Sequence, residues 1–463
     1  MSRLLLEDLS LVSGTGEVVE ETSVVVEDDR IVDIGLGDST GFDTVVDCEG
    51  LVAIPGMVNS HSHMELSSAE EIFFEQSSRE VLLEVFPVVQ SIWDGEREDL
   101  ISSGYRYACY SFLRNGITTV NTLDDHPETG VDIIGESGMR AVMGFSPGDL
   151  FLNADAEEII ERERKFIEDY KGAYDGRITP SISCQGDLYS SQKLWKGVSE
   201  LGEEYPELPF HTHVLEMPES NQMPQVHGFK GTVDLLESKN LLGEDSILAH
   251  FTHADKKQLE KIEETGTGLA HCPSILAYDF NGSWPKVDTA DKEDISTGLG
   301  IDDHYLIESE SLFQEARKAR EKLEEEKNYR ISYHGLFKKM TREAAEAVGL
   351  GDEVGSIEKG KKADIVLLDL EIDFEANVYR QIIENTDKEN IQEVFVDGEQ
   401  VVKDGEVTTM DRDEVLEEKE RVKHDFREEL DKKFFKTRML LKTLRIIDYR
   451  TLKLIPYKIR SFF

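Results

Sequence analysis

His61 and His63 stand at alternate positions in PGMVNSHSHMEL (residues 55–66), where an apolar run that reads as a buried strand ends in two imidazoles. Residues i and i+2 of a strand leave the same face, so the two rings can converge on one ion. Similar run endings follow: HTHVLE brings His211, His213 and Glu216, LAHFTH brings His250 and His253, AHCPS brings His271, and GLGIDD brings Asp302 and Asp303. Of the 12 histidines, seven sit at such endings, a concentration that chance does not explain. Neutral imidazoles with a carboxylate suit zinc, and an ion that keeps an open position activates a water. Taken singly, each residue has a plainer reading. A lone HxH is commonly a turn or a surface pair, and His211, His253 and His271 read equally well as core histidines bonded to carbonyls. Asp302 competes between metal ligand and N-cap of the helical stretch ESESLFQEARKAREKL, a cap that Asp303 could take instead.

The elements that must position these residues follow from the pattern of the chain. Residues 1–54 read as short alternating strands with Gly and Asp turns (TSVVVEDDRIVDIG, TVVDCEGLVAI), an antiparallel β unit. From Gly56 compact apolar runs alternate with helical stretches: GMVNSHSH, GITTVNTL, MRAVMGFS, ITPSISCQG, PFHTHVLE, SILAHFTH, TGLAHCPS and STGLGIDD. Eight strands so spaced predict a closed parallel (β/α)8 barrel, with an open doubly wound sheet as the competitor. Barrel enzymes place their chemistry at the C-terminal ends of the strands, where these polar residues fall. Past residue 346 the β style returns (GSIEKGKKADIVLLDL, EVFVDGEQVVKDGEV). The expected organisation is a small β-sandwich from residues 1–55 and 346–410, a metal-dependent barrel over 56–345, and a C-terminal helix with an atypical tail over 411–463. That tail, from residue 436, is basic and apolar in an acidic chain and is assigned no function.

Composition excludes several classes. The chain has 463 residues, with 95 acidic against 51 basic residues and a formal charge of -44. Such a surface repels phosphate backbones and anionic lipid, which argues against nucleic-acid and membrane partners. The acid is spread along helices and loops, as in proteins adapted to high salt. Cys48, Cys109, Cys184 and Cys272 form no CxxC, so neither a disulfide framework nor a thiolate zinc site is signalled, and a reduced cytoplasm fits. No run of 18 apolar residues and no signal peptide is evident.

The ordered motifs PGMVNSHSH, HTHVLE, LAHFTH, AHCPS, GLGIDD and GSIEKGKKADIVLLD resemble the amidohydrolase superfamily, from the first residues to about residue 410. Within it they are most similar to the branch holding S-adenosylhomocysteine and methylthioadenosine deaminases, guanine deaminase and the triazine chlorohydrolases. The resemblance implies one divalent metal, zinc or iron, held by His61, His63, His213 and Asp302. It places His250 beside the activated water and gives Glu216 the substrate's proton, which makes His250, Asp302 and Glu216 the catalytic group. Binuclear relatives carry a bridging lysine on the fourth strand; ITPSISCQGDL has none, so one metal is expected. The HxE and PCxxC pair of the cytidine-deaminase fold is absent.

The chain also departs from adenosine-type deaminases. Where they carry a histidine after the fourth strand it offers Gln185, assigned here to substrate binding. Their Ser-Asn pair after HCP becomes Ser274 and Ile275, and Gln90 stands near the place of their ribose-binding acid. The expectation is therefore hydrolytic deamination of an amidine-type nitrogen heterocycle. The alternatives are a chlorohydrolase, a cyclic-amide hydrolase, or a metal-binding relic without turnover. The expected partner is a small molecule, with self-association left open.

Overall fold

The computed structural model describes residues 2–35, 40–70, 72, 97–150, 154–217, 219–279, 290, 295–303, 306–307 and 309–444, with the side chains of residue 223 and of 430–444 left aside. Gln90 and the tail beyond Leu444 lie outside the described residues. The chain opens with β1 (Arg3–Val12), β2 (Val18–Glu27), β3 (Arg30–Ile34), β4 (Thr44–Asp47) and β5 (Leu51–Pro55). Next come β6 (Met57–Ser62), β7 (Ile117–Asp124), β8 (Arg140–Phe145), β9 (Ile178–Pro180), β10 (Ile182–Gly186), β11 (Phe210–Val214), β12 (Ser246–His250), β13 (Gly268–His271) and β14 (Thr297–Leu299). It returns to β structure in β15 (Ile365–Asp369), β16 (Ile391–Val396), β17 (Glu399–Lys403) and β18 (Glu406–Val407).

Strands from both chain ends join in one nine-stranded sheet of order β18-β17-β16-β15-β5-β1-β2-β3, with β4 on β1. The pairing of β5 with β15 is antiparallel, Ile54 opposite Val366 and Ala53 opposite Leu367. The expectation that residues 1–54 form a purely antiparallel unit needs correction. β1 runs parallel to both β4 and β5, because its ten residues outlast either partner and the chain re-enters beside it in the same direction.

All eight expected central runs are strands, and all pair in parallel: β6-β7-β8-β9 in one sheet and β10-β11-β12-β13-β14 in another. The run ITPSISCQG is divided at Ser181. β9 pairs with β8, whereas β10 pairs with β11. Ser181 N donates to Met143 O (2.8 Å) and Ile182 N to Pro209 O (2.8 Å), so adjoining residues serve opposite neighbours. At the far side Asp302, just past β14, bridges Ser62 at the end of β6 in parallel; Asp302 N donates to His61 O (3.0 Å). Residues of β6, β7, β8, β11 and β12 are buried throughout, as parallel strands covered on both faces must be. The helices between them carry local stop and start signals, such as the Asp255–Gln258 capping box at Lys256–Thr265. The four cysteines are buried and free, and no described helix is long and apolar enough to cross a membrane.

A buried ion cluster ties the nine-stranded sheet to the base of β8. Arg140 Nη2 donates to Asp364 Oδ1 (3.1 Å) and Asp397 Oδ1 (2.5 Å), and Asp397 N donates to Asp364 Oδ1 (3.0 Å). Removing one member of such a cluster leaves buried charge uncompensated. Arg140→Ala is expected to lower stability by about 3–5 kcal/mol, read from the midpoint of chemical denaturation. An unchanged midpoint would show that the sheet is not anchored here.

Glu163 lies buried on the helix Ala156–Tyr170, where its Oε1 accepts from Ser183 N (2.7 Å) of β10. Burial pushes its carboxyl up to about 8, against the hydrogen bonds from Ser183 that lower it. The folded protein thus holds this proton more tightly than the unfolded chain. The Glu163 contribution is most favourable below the ordinary carboxylate range and is lost as pH rises toward 8. Glu163→Gln keeps an acceptor for Ser183 and is expected to be more stable than the parent by a gap that widens from pH 5 to pH 8, to the order of a few kcal/mol. Melting curves across that range check it, and parallel curves for the two proteins would refute it.

Candidate metal centre

His61 is the last residue but one of β6, His63 follows that strand directly, His213 lies near the end of β11, His250 ends β12 and Asp302 follows β14. Apart from the His61–His63 pair these residues are far apart in the sequence, and the fold brings their side chains together. Ligand atoms of His61, His63 and His213 lie within 4.8 Å of one another, as do those of His61, His250 and Asp302. His63 Nε2 and His213 Nε2 are 3.1 Å apart. Asp302 Oδ1 is 3.7 Å from His61 Nε2 and 3.8 Å from His63 Nε2, and Asp302 Oδ2 is 3.6 Å from His250 Nδ1.

Hydrogen bonding decides which ring atoms are available. A carbonyl only accepts, so His63 Nδ1 donates to Leu123 O and His213 Nδ1 donates to Gln185 O (2.6 Å). Each Nε2 is then a lone pair, and the two lone pairs face each other, an arrangement that is repulsive unless a cation or a proton lies between them. His61 Nδ1 pairs with His211 Nε2 (3.0 Å), while His61 Nε2 and Asp302 Oδ2 are buried with no hydrogen bond. Buried polar atoms left this way are costly. Aimed at a common point, they fit a divalent ion bound by imidazole and carboxylate.

The electrostatics agree. Burial, reinforced by neighbouring imidazoles, holds His61, His213 and His250 well below the usual histidine range, in the neutral form that ligates. Burial alone would lower His63 too, but Asp303, Asp302 and Asp124 outweigh it and hold it at about 9. The carboxylates thus call for positive charge at this point. Burial and then Asp303 raise Asp302 to about 7.

The backbone is strained where it carries these groups. Leu215 (φ 54°), His250 (φ 71°), Phe251 (φ 51°) and Asp302 (φ 66°) are all left-handed, and such residues cluster at functional sites. Gly300 permits the close approach of β14 to β6, since a Cβ there would lie 2.8 Å from His61 O and 2.9 Å from Cys272 Sγ.

Asp302 is not a helix cap. The helix Leu312–Lys327 is capped by Ser311, whose side chain accepts from Phe313 N, and Asp303 N donates to Asp302 Oδ1 (2.8 Å). His211 bonds to a ring nitrogen of His61, so the reading as a core histidine on a carbonyl fails for it. Glu216 leaves β11 with Oε1 4.0 Å from His250 Nε2. Gln185 turns its Oε1 to the Ser146 hydroxyl and its main-chain carbonyl to His213. Two acids escaped the sequence reading. Asp124 accepts from Met64 N (2.9 Å) and Glu65 N (3.3 Å), fixing the chain as it leaves His63, and Asp187 accepts from Leu215 N (2.9 Å). Their only signal was position, at the ends of the runs TLDD and SCQGD.

Three imidazoles and a carboxylate gathered at the C-terminal ends of parallel strands, with a fourth imidazole and an acid beside them, form a group that could hold a divalent ion. The chain belongs to the amidohydrolase family, whose pattern it matches over residues 52–401, and is a hydrolase acting on carbon–nitrogen bonds. It is 25% identical over 438 residues to the 5'-deoxyadenosine deaminase of Methanobrevibacter smithii, covering 92% of this chain and 98% of that protein. It is 27% identical over 430 residues to the 5-methylthioadenosine/S-adenosylhomocysteine deaminase 2 of Archaeoglobus fulgidus, covering 90% and 98%. Among solved structures, an adenosine deaminase from Xanthomonas campestris with bound zinc superposes with a TM-score of 0.84 at 19% identity, over 92% of this chain and 99% of that one. Escherichia coli guanine deaminase superposes at 0.75 with 21% identity, over 87% and 100%. These two likenesses speak to the fold.

Proposed function

We propose that this chain is a mononuclear aminohydrolase that replaces the amino group of an amidine-type nitrogen heterocycle by oxygen. The observation that carries the reading is the convergence of His61, His63, His213 and Asp302 with the Glu216 carboxylate facing His250 across 4.0 Å. In the same reading the two parallel sheets are one eight-stranded barrel, joined through Ser181 and through the Ser62–Asp302 bridge, over residues 56–345. The sheet from residues 1–55 and 346–410 is the small β-sandwich domain beside it.

A single zinc or iron ion bound there would lower the pKa of a water to roughly 7 and so supply the nucleophile at neutral pH. The chain's own residues then handle protons and position. Asp302 Oδ2, buried beside His250 Nδ1, takes a proton while His250 orients the attacking oxygen. Glu216 delivers a proton to the ring nitrogen next to the carbon under attack. Water and the amino-substituted carbon become a carbonyl and ammonia. Gln185, at the end of β10, contacts the substrate. The reduced cysteines fit a cytoplasmic enzyme.

The test is ammonia release from a panel holding 5'-deoxyadenosine, 5'-methylthioadenosine, S-adenosylhomocysteine, guanine and an aminotriazine, with a chlorotriazine and a cyclic amide read by chloride release and ring opening. Because the relatives are named as deaminases of adenosine-type compounds, the purines are assayed first. Chloride release or ring opening without ammonia would favour the alternative chemistry on the same scaffold. Full metal occupancy with no turnover on any member would favour a binding relic.

With a formal charge of -44, stability is expected to rise with salt, since self-repulsion is screened within roughly 3 Å at 1 M. A melting temperature that stays flat or falls from low to molar KCl would contradict salt adaptation.

A further inference from the structure

Glu216 sits on no regular element, yet its position relative to His250 is narrowly set. The chain leaves β11 at Val214 and turns through Leu215 in a left-handed conformation, φ 54°. A side chain with a Cβ avoids that region, so the turn must be held from outside. It is held on both sides. Leu215 O accepts from His253 N (2.9 Å), past the end of β12. Leu215 N donates to Asp187 Oδ2 (2.9 Å), past the end of β10. The same oxygen accepts from Thr232 Oγ1 (2.9 Å), whose hydroxyl also lies 3.3 Å from Ser220 O. Met217 N in turn donates to Ser220 Oγ (3.2 Å). The residues on either side of Glu216 are thus anchored to one short network, and Asp187 is its root. Asp187 is 4% exposed and lies on neither β10 nor β11.

The geometry points to Asp187 as a positioning residue that fixes the strained Leu215 turn and thereby aims Glu216 at the substrate. The inference rests on the reading of Glu216 given above, and its test separates the two. A carboxylate is an unusual choice for a purely structural acceptor in so buried a place. Burial raises its carboxyl to about 6 despite the donors around it. What it provides is a single oxygen that receives both the main-chain N–H and the threonine hydroxyl.

Asp187→Ala, Asp187→Asn, Glu216→Gln and the double variant Asp187→Ala/Glu216→Gln are compared in the full-length, metal-loaded protein. Hydrogen exchange comes first, because it requires no substrate. In Asp187→Ala the amides of Leu215 and Met217 are expected to lose protection at least about tenfold while those of β12 (Ser246–His250) do not, and Asp187→Asn, which retains an acceptor oxygen, recovers it. Unchanged exchange at Leu215 overturns the inference whatever the rates show.

On 5'-deoxyadenosine, or the panel member turned over fastest, Asp187→Ala is expected to lose about 10- to 100-fold in kcat, the scale of a misplaced catalytic group. KM and metal content should change little, and Asp187→Asn should restore most of the rate. In the double variant the loss is expected to match that of Glu216→Gln alone, since a group that acts through Glu216 has nothing left to act on. Losses that multiply would overturn the inference in favour of an independent structural role. A Glu216→Gln variant with full turnover would instead remove the reading of Glu216, leaving the exchange result to decide whether Asp187 holds the turn. Should Asp187→Ala fail to fold, Thr232→Val removes the second donor from the same oxygen and carries the same cycle.

Discussion

Glu216→Gln is expected to keep the fold and the metal and to lose roughly 10²- to 10⁴-fold in turnover, the usual worth of a general acid-base group. Glu216 Oε1 lies 4.0 Å from His250 Nε2, and Glu216 is anchored through its neighbours Leu215 and Met217. The substitution preserves size and one acceptor oxygen and replaces the titratable carboxyl by an amide that cannot exchange a proton near neutral pH. A loss of rate at full metal occupancy therefore isolates proton transfer. If Glu216 instead steadied His213, the variant would lose metal affinity before rate; if it were a solvated loop carboxylate, neither would change. Turnover and elemental content measured on one preparation decide among the three, and normal turnover would remove Glu216 from the mechanism.

The double variant His61→Ala/His63→Ala is expected to abolish metal retention and with it activity. The parent, as isolated, is expected to hold about one zinc or iron per chain. The two rings supply half of the four-residue set, and His61 Nε2 is a buried atom that no protein group satisfies. Their loss leaves His213 and Asp302, too few to compete with water and buffer for a divalent ion. Chelator should lower the melting temperature of the parent, since an ion bound only by the folded state stabilises it, and should leave the double variant unmoved. Full occupancy in the double variant would show that the ion is bound elsewhere, and two ions per chain would reject a mononuclear centre.

Much of the candidate site was legible in the chain itself because strand geometry is local. Alternation places His61 and His63 on one face whatever the rest of the molecule does, and the eight apolar runs mark strands by their length and their bounding turns. The acidic surface and the lack of paired cysteines are likewise properties of composition. What the sequence could not express are relations between residues distant along it. The parallel run of β1 beside β4 and β5, the break of the fourth run at Ser181 and the bond from His61 to His211, 150 positions apart, depend on which strand comes to lie next to which. The reading of Asp302 as a cap fell only to the structure, in which the following helix starts ten residues later, at Leu312, under its own serine cap. Asp187 shows the reason most clearly. As one acid among 95 it has no local signature. Its meaning comes from a left-handed turn 28 residues away whose N–H it accepts, and only packing in three dimensions brings that donor to it.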